Sequence, residues 1–141
     1  MFVDTNVLVH ASAQGAPERE QARAALARHA AAGEPLCISR QVLREFMAVI
    51  MGPQVWARAQ TAADAAALIL ARDFDILEDG PMVWDRLVYL CRNFAFGGRQ
   101  VHDANIVATM LAHGESRLLT FNVADFRRFG RVIDLVDLPA P

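Results

Sequence analysis

The chain contains no lysine: all 14 of its basic residues are arginine. That absence excludes every mechanism built on a catalytic lysine. Receiver-type phosphotransfer domains and haloacid-type phosphatases also set aspartates at strand ends, but they normally hold the phosphoryl group with a lysine. Arginine can still grip phosphate through its planar fork, so RNA is not excluded. A net charge of −2 leaves no overall basic field to draw the protein onto nucleic acid. Cysteine is scarce as well. Cys37 and Cys91 lie in apolar stretches without metal-ligand spacing, which predicts two buried thiols in a reducing compartment. His10, His29, His102 and His113 show no zinc spacing with either cysteine and are expected at the surface or an interface, with His102 beside the site by adjacency. The longest apolar region, residues 62–71, is broken by Asp64 and is too short to span a bilayer. The first residues read as a strand rather than a signal peptide, so the expectation is a cytoplasmic protein with no membrane association.

What is present is a repeated alternation of short apolar runs with helix-forming stretches. Candidate strands are Met1–Asp4, Leu36–Ser39, Asp75–Leu77, Arg117–Thr120 and Val132–Leu135. Between them, Pro17–Ala32, Arg40–Met51, Ala59–Arg72, Met82–Asn93 and Asp103–His113 are rich in strong helix formers. Pro17 suits a first helical turn, and Gly33 and Gly114 stand where helices would be capped. Strands separated by helices need crossovers, which predicts an α/β fold with a mainly parallel sheet covered on both faces. At 141 residues the expectation is a single domain over 1–141. A hydrophobic fraction of 54% and a mean hydropathy of +0.20 suggest an apolar patch kept for a partner or a second copy, although a well-filled core would account for them too.

Four acids stand out against this frame. Asp4 ends the first apolar strand, where a parallel sheet places its chemistry; it is equally suited to capping a helix, a role Asn6 could share. Glu45 borders the stripe of Val42, Phe46, Val49 and Ile50, where an unpaired carboxylate costs desolvation energy; otherwise it is a surface residue beside Arg44. Asp103 opens a helix whose inward stripe is Ile106, Val107, Met110 and Leu111, and could simply favour the helix dipole. Asp125 follows the strand Arg117–Thr120, in the first turn of a short helix that Asn122 would cap. Each acid has an ordinary structural role. Together they could face one crevice, and carboxylates gathered there repel unless a cation neutralises them. Mg²⁺ and Mn²⁺ take such hard oxygen ligands and support phosphoryl hydrolysis.

Four blocks carry a more specific likeness: Val3-Asp4-Thr5-Asn6-Val7-Leu8, Arg44-Glu45-Phe46, His102-Asp103-Ala104-Asn105-Ile106-Val107-Ala108, and Leu119-Thr120-Phe121-Asn122-Val123-Ala124-Asp125-Phe126. In order and spacing, along essentially the whole chain, they resemble the PIN-domain ribonucleases and, among them, the VapC-type toxins of toxin–antitoxin pairs. The resemblance implies a single PIN-like domain with a five-stranded sheet in the order 3-2-1-4-5, sandwiched between helices. It implies an endoribonuclease whose acids Asp4, Glu45, Asp103 and Asp125 bind Mg²⁺ or Mn²⁺ and activate water against RNA (tRNA, rRNA or mRNA). Thr5, Asn6, Thr120 and Asn122 match positions that orient ligands or water, although some members carry an acid where this chain has Asn122. A homodimer is implied, and a cognate antitoxin that covers the site and inserts a basic side chain among the acids. Arg127, Arg128, Arg131, Arg99 and Arg40 are candidate RNA-phosphate contacts. The alternative is a catalytically silent PIN-like domain that binds RNA or protein without cutting.

Overall fold

The computed structural model describes residues 1–53, 60–61, 63–64, 66–67, 74–136 and 138. In chain order the elements are β1 (Phe2–Val3), α1 (Thr5–Ser12), α2 (Arg19–Ala31), β2 (Cys37–Ser39), α3 (Arg40–Met51), β3 (Asp75–Leu77), α4 (Pro81–Asn93), α5 (Gln100–Ala112), β4 (Arg117–Leu119), α6 (Val123–Phe126), a 3₁₀ turn (Arg127–Phe129) and β5 (Asp134–Val136). The helix expected over Ala59–Arg72 falls largely outside the described residues.

The five strands form one parallel sheet in the order β3-β2-β1-β4-β5. The order reverses between β1 and β4. Because β–helix–β crossovers are right-handed, helices leading leftward from β1 and those leading rightward to β4 and β5 fall on opposite faces. The packing agrees: α1 lies against α2 and α3, while α4 lies against α5 and α5 against α6. The central strands are accordingly buried on both sides, with Phe2, Val3, Ile38, Leu118 and Leu119 removed from water. Each such large side chain contributes about 1.5–3 kcal/mol.

Several boundaries differ from the sequence expectation for local reasons. Helix α1 has no amphipathic stripe to announce it, since Val7, Leu8, Val9 and Ala11 are all buried. Pro17 lies in the turn before α2 rather than in its first turn. Helix α5 starts at Gln100, three residues before Asp103, because the Gln100 side chain reaches back and its Oε1 accepts the Gly97 N–H at 3.2 Å. Strand β5 begins only at Asp134, since the Val132 and Ile133 amides still donate to the Phe129 carbonyl, at 2.8 and 3.1 Å. Gly33 and Gly114 do follow the helix ends, at φ +72° and +73°, conformations that cost other residues dearly.

Two side-chain expectations are corrected. Cys37 is buried, but Cys91 is exposed, because Val83, Leu87 and Leu90 form the inward face of α4 and Cys91 sits beyond it. His29 is buried rather than at the surface, its Nδ1 2.9 Å from Glu34 Oε2.

One aromatic cluster bears on the site. Phe126 and Phe129 are fully buried, and the Phe129 ring lies 5.4 Å from Phe94 and 5.6 Å from Phe96. Such contacts favour tilted rings at this spacing. They tie the link between α4 and α5, which leads to Asp103, to the segment carrying Asp125.

Candidate active site

Asp4 leaves β1 at the point where the strand order reverses, the crevice in which open parallel sheets gather their functional groups. Its backbone N–H still donates to the Leu119 carbonyl at 3.0 Å, so it is registered on β4 as it turns into α1. It caps α1 while standing at the strand end. Oδ1 accepts the Thr5 N–H at 2.7 Å as the cap of α1, while Oδ2 accepts from Thr120 Oγ1 at 2.6 Å and from Asn6 Nδ2 at 2.7 Å.

Asp4 is only 5% exposed. Burial pushes its carboxyl up from the usual 3.8 to about 6, with the charges of Glu45 and Asp103 adding to the rise and the Thr120 and Thr5 bonds opposing it. Asp103, half-buried on the first turn of α5, is also raised, by desolvation first and then by the charges of Asp125 and Glu45, against the lowering influence of Arg128 and His102. Electrostatically, then, Glu45 and Asp103 act on Asp4, and Asp125 and Glu45 act on Asp103. Asp125 itself is exposed, at the rim.

Glu45 is half-buried and clasped from two sides. Thr5 Oγ1 donates to its Oε2 at 2.7 Å, and Gln41 Nε2 donates to its Oε1 at 2.7 Å. The Thr5 bond links Glu45 to the residue next to Asp4, so two acids from elements 40 residues apart share a short polar bridge. Asn6 and Thr120 complete the opposite wall: Asn6 Oδ1 accepts the Phe121 N–H at 3.1 Å, and Thr120 Oγ1 accepts the Asn122 N–H at 2.9 Å. Asn122 heads α6, but its side chain makes no capping bond and is exposed.

The donor set facing the crevice is all hard oxygen, of a kind that suits a small divalent cation. Among the described residues no three acid, histidine or cysteine side chains close on one point as a finished cage. The arrangement is a looser anionic grouping around the crevice. His102 contributes its carbonyl, which accepts from Gln41 Nε2 at 3.0 Å, while its side chain is exposed.

Two residues of the site escaped the sequence reading. Gln41, buried one turn before Glu45, and Asn105, two residues after Asp103, are joined by an Asn105 Nδ2 to Gln41 Oε1 bond of 2.8 Å. Gln41 had a positional cue, lying one turn before Glu45 on the same helix face, whereas Asn105, two residues from Asp103, lies on a different face and had none.

The arginines divide clearly. Arg40 is engaged with Glu78 through Nε and Nη2, the shortest contact 2.6 Å, and Arg131 donates to the Asn93 carbonyl and lies 4.9 Å above the Phe94 ring. Arg127 and Arg99 are exposed. Arg128 is half-buried, its Nε donating to the Asp125 carbonyl at 3.1 Å, and its charge is felt at Asp103.

The family model for the PIN domain matches residues 1–132. Ribonuclease VapC24 from Mycobacterium tuberculosis (strain CDC 1551 / Oshkosh) is 27% identical over 134 residues, covering 92% of this chain and 91% of its own. Among solved structures, VapBC2 from Rickettsia felis bound to a promoter DNA fragment superposes with a TM-score of 0.69 at 17% identity, over 96% of this chain and 98% of the other. A toxin–antitoxin complex from Klebsiella pneumoniae gives 0.64 at 24% identity, over 99% and 98%. VapC20 from Mycobacterium tuberculosis, a toxin that cleaves the sarcin–ricin loop, gives 0.66 at 20% identity, over 89% and 92%. With a family match over nearly the whole chain and the sheet order seen here, the chain belongs to the PIN domain family.

Proposed function

We propose that this chain, as one PIN domain over 1–141, is a divalent-metal-dependent endoribonuclease acting as the toxin of a toxin–antitoxin pair. The observation that carries the reading is the gathering of Asp4, Glu45 and Asp103, with Asp125 at the rim, around the crevice where the sheet reverses. Asp4 and Asp103 are both pushed up, by burial first and then by neighbouring acids; charge held this way is unfavourable without a cation, and such tension is concentrated at working sites.

Asp4, Glu45, Asp103 and Asp125 would hold Mg²⁺ or Mn²⁺. When bound, the ion polarises a phosphoryl oxygen and lowers the pKa of water. The protein's own contribution is placement. Thr120 and Asn6 pin one oxygen of Asp4, Thr5 and Gln41 pin the two oxygens of Glu45, and the α5 helix presents Asp103 from its first turn. Arg128, beside Asp103, is the arginine best placed to receive an RNA phosphate, with Arg127 and Arg99 further out.

The partners follow from the relatives. The Rickettsia felis and Klebsiella pneumoniae structures are complexes of toxin with antitoxin, and a cognate antitoxin covering this anionic crevice is the corresponding inhibitor here. A homodimer accounts for the exposed Met82, Trp84 and Tyr89 on α4, Trp84 being 66% exposed. Among the described residues no helix is long and apolar enough to cross a membrane. A cytoplasmic setting fits the unpaired cysteines.

The test is cleavage of a structured RNA with Mg²⁺ or Mn²⁺, against a chelator and against Asp4→Asn and Asp103→Asn. Each substitution should lower the rate about 100-fold or more. Mn²⁺ should raise the melting temperature, and Asp103→Asn should blunt that rise. Cutting that persists in Asp4→Asn refutes the assignment, and RNA binding without cutting by the parent protein returns the silent binding domain.

A further inference from the structure

Gln41 is 8% exposed, and a buried carboxamide is costly unless its polar atoms are matched. Here it is fully engaged. Nε2 donates to Glu45 Oε1 at 2.7 Å and to the His102 carbonyl at 3.0 Å, while Oε1 accepts from Asn105 Nδ2 at 2.8 Å. Two donations and one acceptance leave only one sensible orientation of the amide.

The partners matter more than their number. Glu45 lies one turn along on the same helix, where an i,i+4 contact is expected. The other two belong to α5: His102 immediately precedes Asp103, and Asn105 is two residues beyond it. Thr5 Oγ1 takes the remaining Glu45 oxygen at 2.7 Å. Glu45 is thus fastened on one side to the segment that carries Asp4 and, through Gln41, on the other to the turn that carries Asp103. Helices α3 and α5 come from opposite faces of the sheet, and Gln41 bridges them at the crevice.

We propose that Gln41 is a positioning residue of this site, tying the Glu45 carboxylate to the turn of α5 that carries Asp103 while Thr5 ties it to the Asp4 side. The proposal rests on the nuclease reading. Hydrogen bonds that orient the groups holding a metal typically change metal affinity or activity 10–100-fold when removed.

The experiment uses the full chain, with Gln41→Met as an unbranched replacement of similar size. Mn²⁺ binding is measured by titration calorimetry, and RNA cleavage is resolved into kcat and KM. The expected result is Mn²⁺ affinity weakened about 10-fold or more and kcat lowered in parallel, with KM for RNA within about twofold of the parent. A role confined to packing would lower the melting temperature of the metal-free protein while leaving Mn²⁺ affinity and kcat of the folded fraction unchanged, and that result overturns the proposal. Should Gln41→Met not fold, Asn105→Ala removes only the bond that holds the amide in its orientation. It should weaken Mn²⁺ binding in the same direction by a smaller factor, and no change there is equally fatal. A parent protein that neither binds Mn²⁺ nor cuts RNA removes the nuclease reading and this one together. A parent that does both beside an unaltered Gln41→Met removes this one alone.

Discussion

Replacing Asp4 by Asn should stabilise the metal-free protein at pH 8 and leave it nearly unchanged at pH 4.5. Asp4 is 5% exposed, and folding lifts its carboxyl from 3.8 to about 6, chiefly through loss of hydration. At 1.36 kcal/mol for each pH unit, the rise corresponds to roughly 3 kcal/mol against the ionised form in the folded state. A group raised on folding contributes its stability below its unfolded value, here 3.8, and loses it as the pH climbs through about 6. At pH 8 the wild-type protein therefore carries the full burden of a buried charge, whereas Asn carries none at any pH. Asn is not free of cost. Its Oδ1 can still accept the Thr5 amide, but its NH₂ would face the Asn6 NH₂ that now bonds Oδ2 at 2.7 Å, a mismatch of about 1 kcal/mol. The net gain at pH 8 is about 2 kcal/mol, or roughly 6 °C in melting temperature for a chain of this size. At pH 4.5 most of the wild-type burden has been relieved by protonation, and the two proteins should agree within about 1 kcal/mol. Urea melts in EDTA at the two pH values measure the difference directly. Because the comparison is between variants, titration elsewhere largely cancels, and relief of Asp103 acts in the same direction. A wild-type-to-variant gap that is the same at both pH values, to within about 0.5 kcal/mol, would show that Asp4 is not a desolvated carboxylate.

Arg128→Gln, placed in an Asp4→Asn background so that RNA survives, should reduce the dependence of log affinity on log salt by about 0.7 for a single-stranded oligonucleotide. Fluorescence anisotropy across a salt series reads this slope, and an unchanged slope would return Arg128 to a structural role at Asp125. Phe129→Ala should cost about 3–5 kcal/mol in urea melts, since the ring is fully buried against Phe94 and Phe96. A loss below about 1 kcal/mol would show that the aromatic cluster does not anchor this end of the fold.

How much of this was legible in the amino-acid order depends on how local each determinant is. Asp4 announces itself because an apolar run leads directly into an acid, and Arg40–Met51 because its apolar residues recur at helical spacing; the structure adds the Ser39 cap, whose hydroxyl accepts the Val42 N–H. The sheet order followed from family resemblance, not from periodicity, which gives strands but not their neighbours. Gln41 was opaque for a physical reason: its meaning lies in partners on α5, more than 60 residues away, and an unaccompanied glutamine on a helix reads as solvent-facing. Cys91 and His29 were misplaced because apolar surroundings in sequence do not fix helical phase, and one residue of rotation separates inside from outside. Arg40 and Arg131 have partners, Glu78 and Phe94, that their sequence neighbours do not announce.

The double engagement of Asp4 has a practical corollary for mutagenesis. Truncation to alanine would strip α1 of its cap, at about 1 kcal/mol, and leave the buried Thr120 hydroxyl without its carboxylate acceptor, at about 1–3 kcal/mol, while the Asn6 amide keeps its 3.2 Å bond to Thr120 Oγ1. Such a protein would lose local structure together with the charge, and an alanine scan would score chemistry and architecture as one quantity. The isosteric amide comes closer to separating them, because it leaves the helix start intact and, apart from the one mismatched contact with Asn6, changes only the charge.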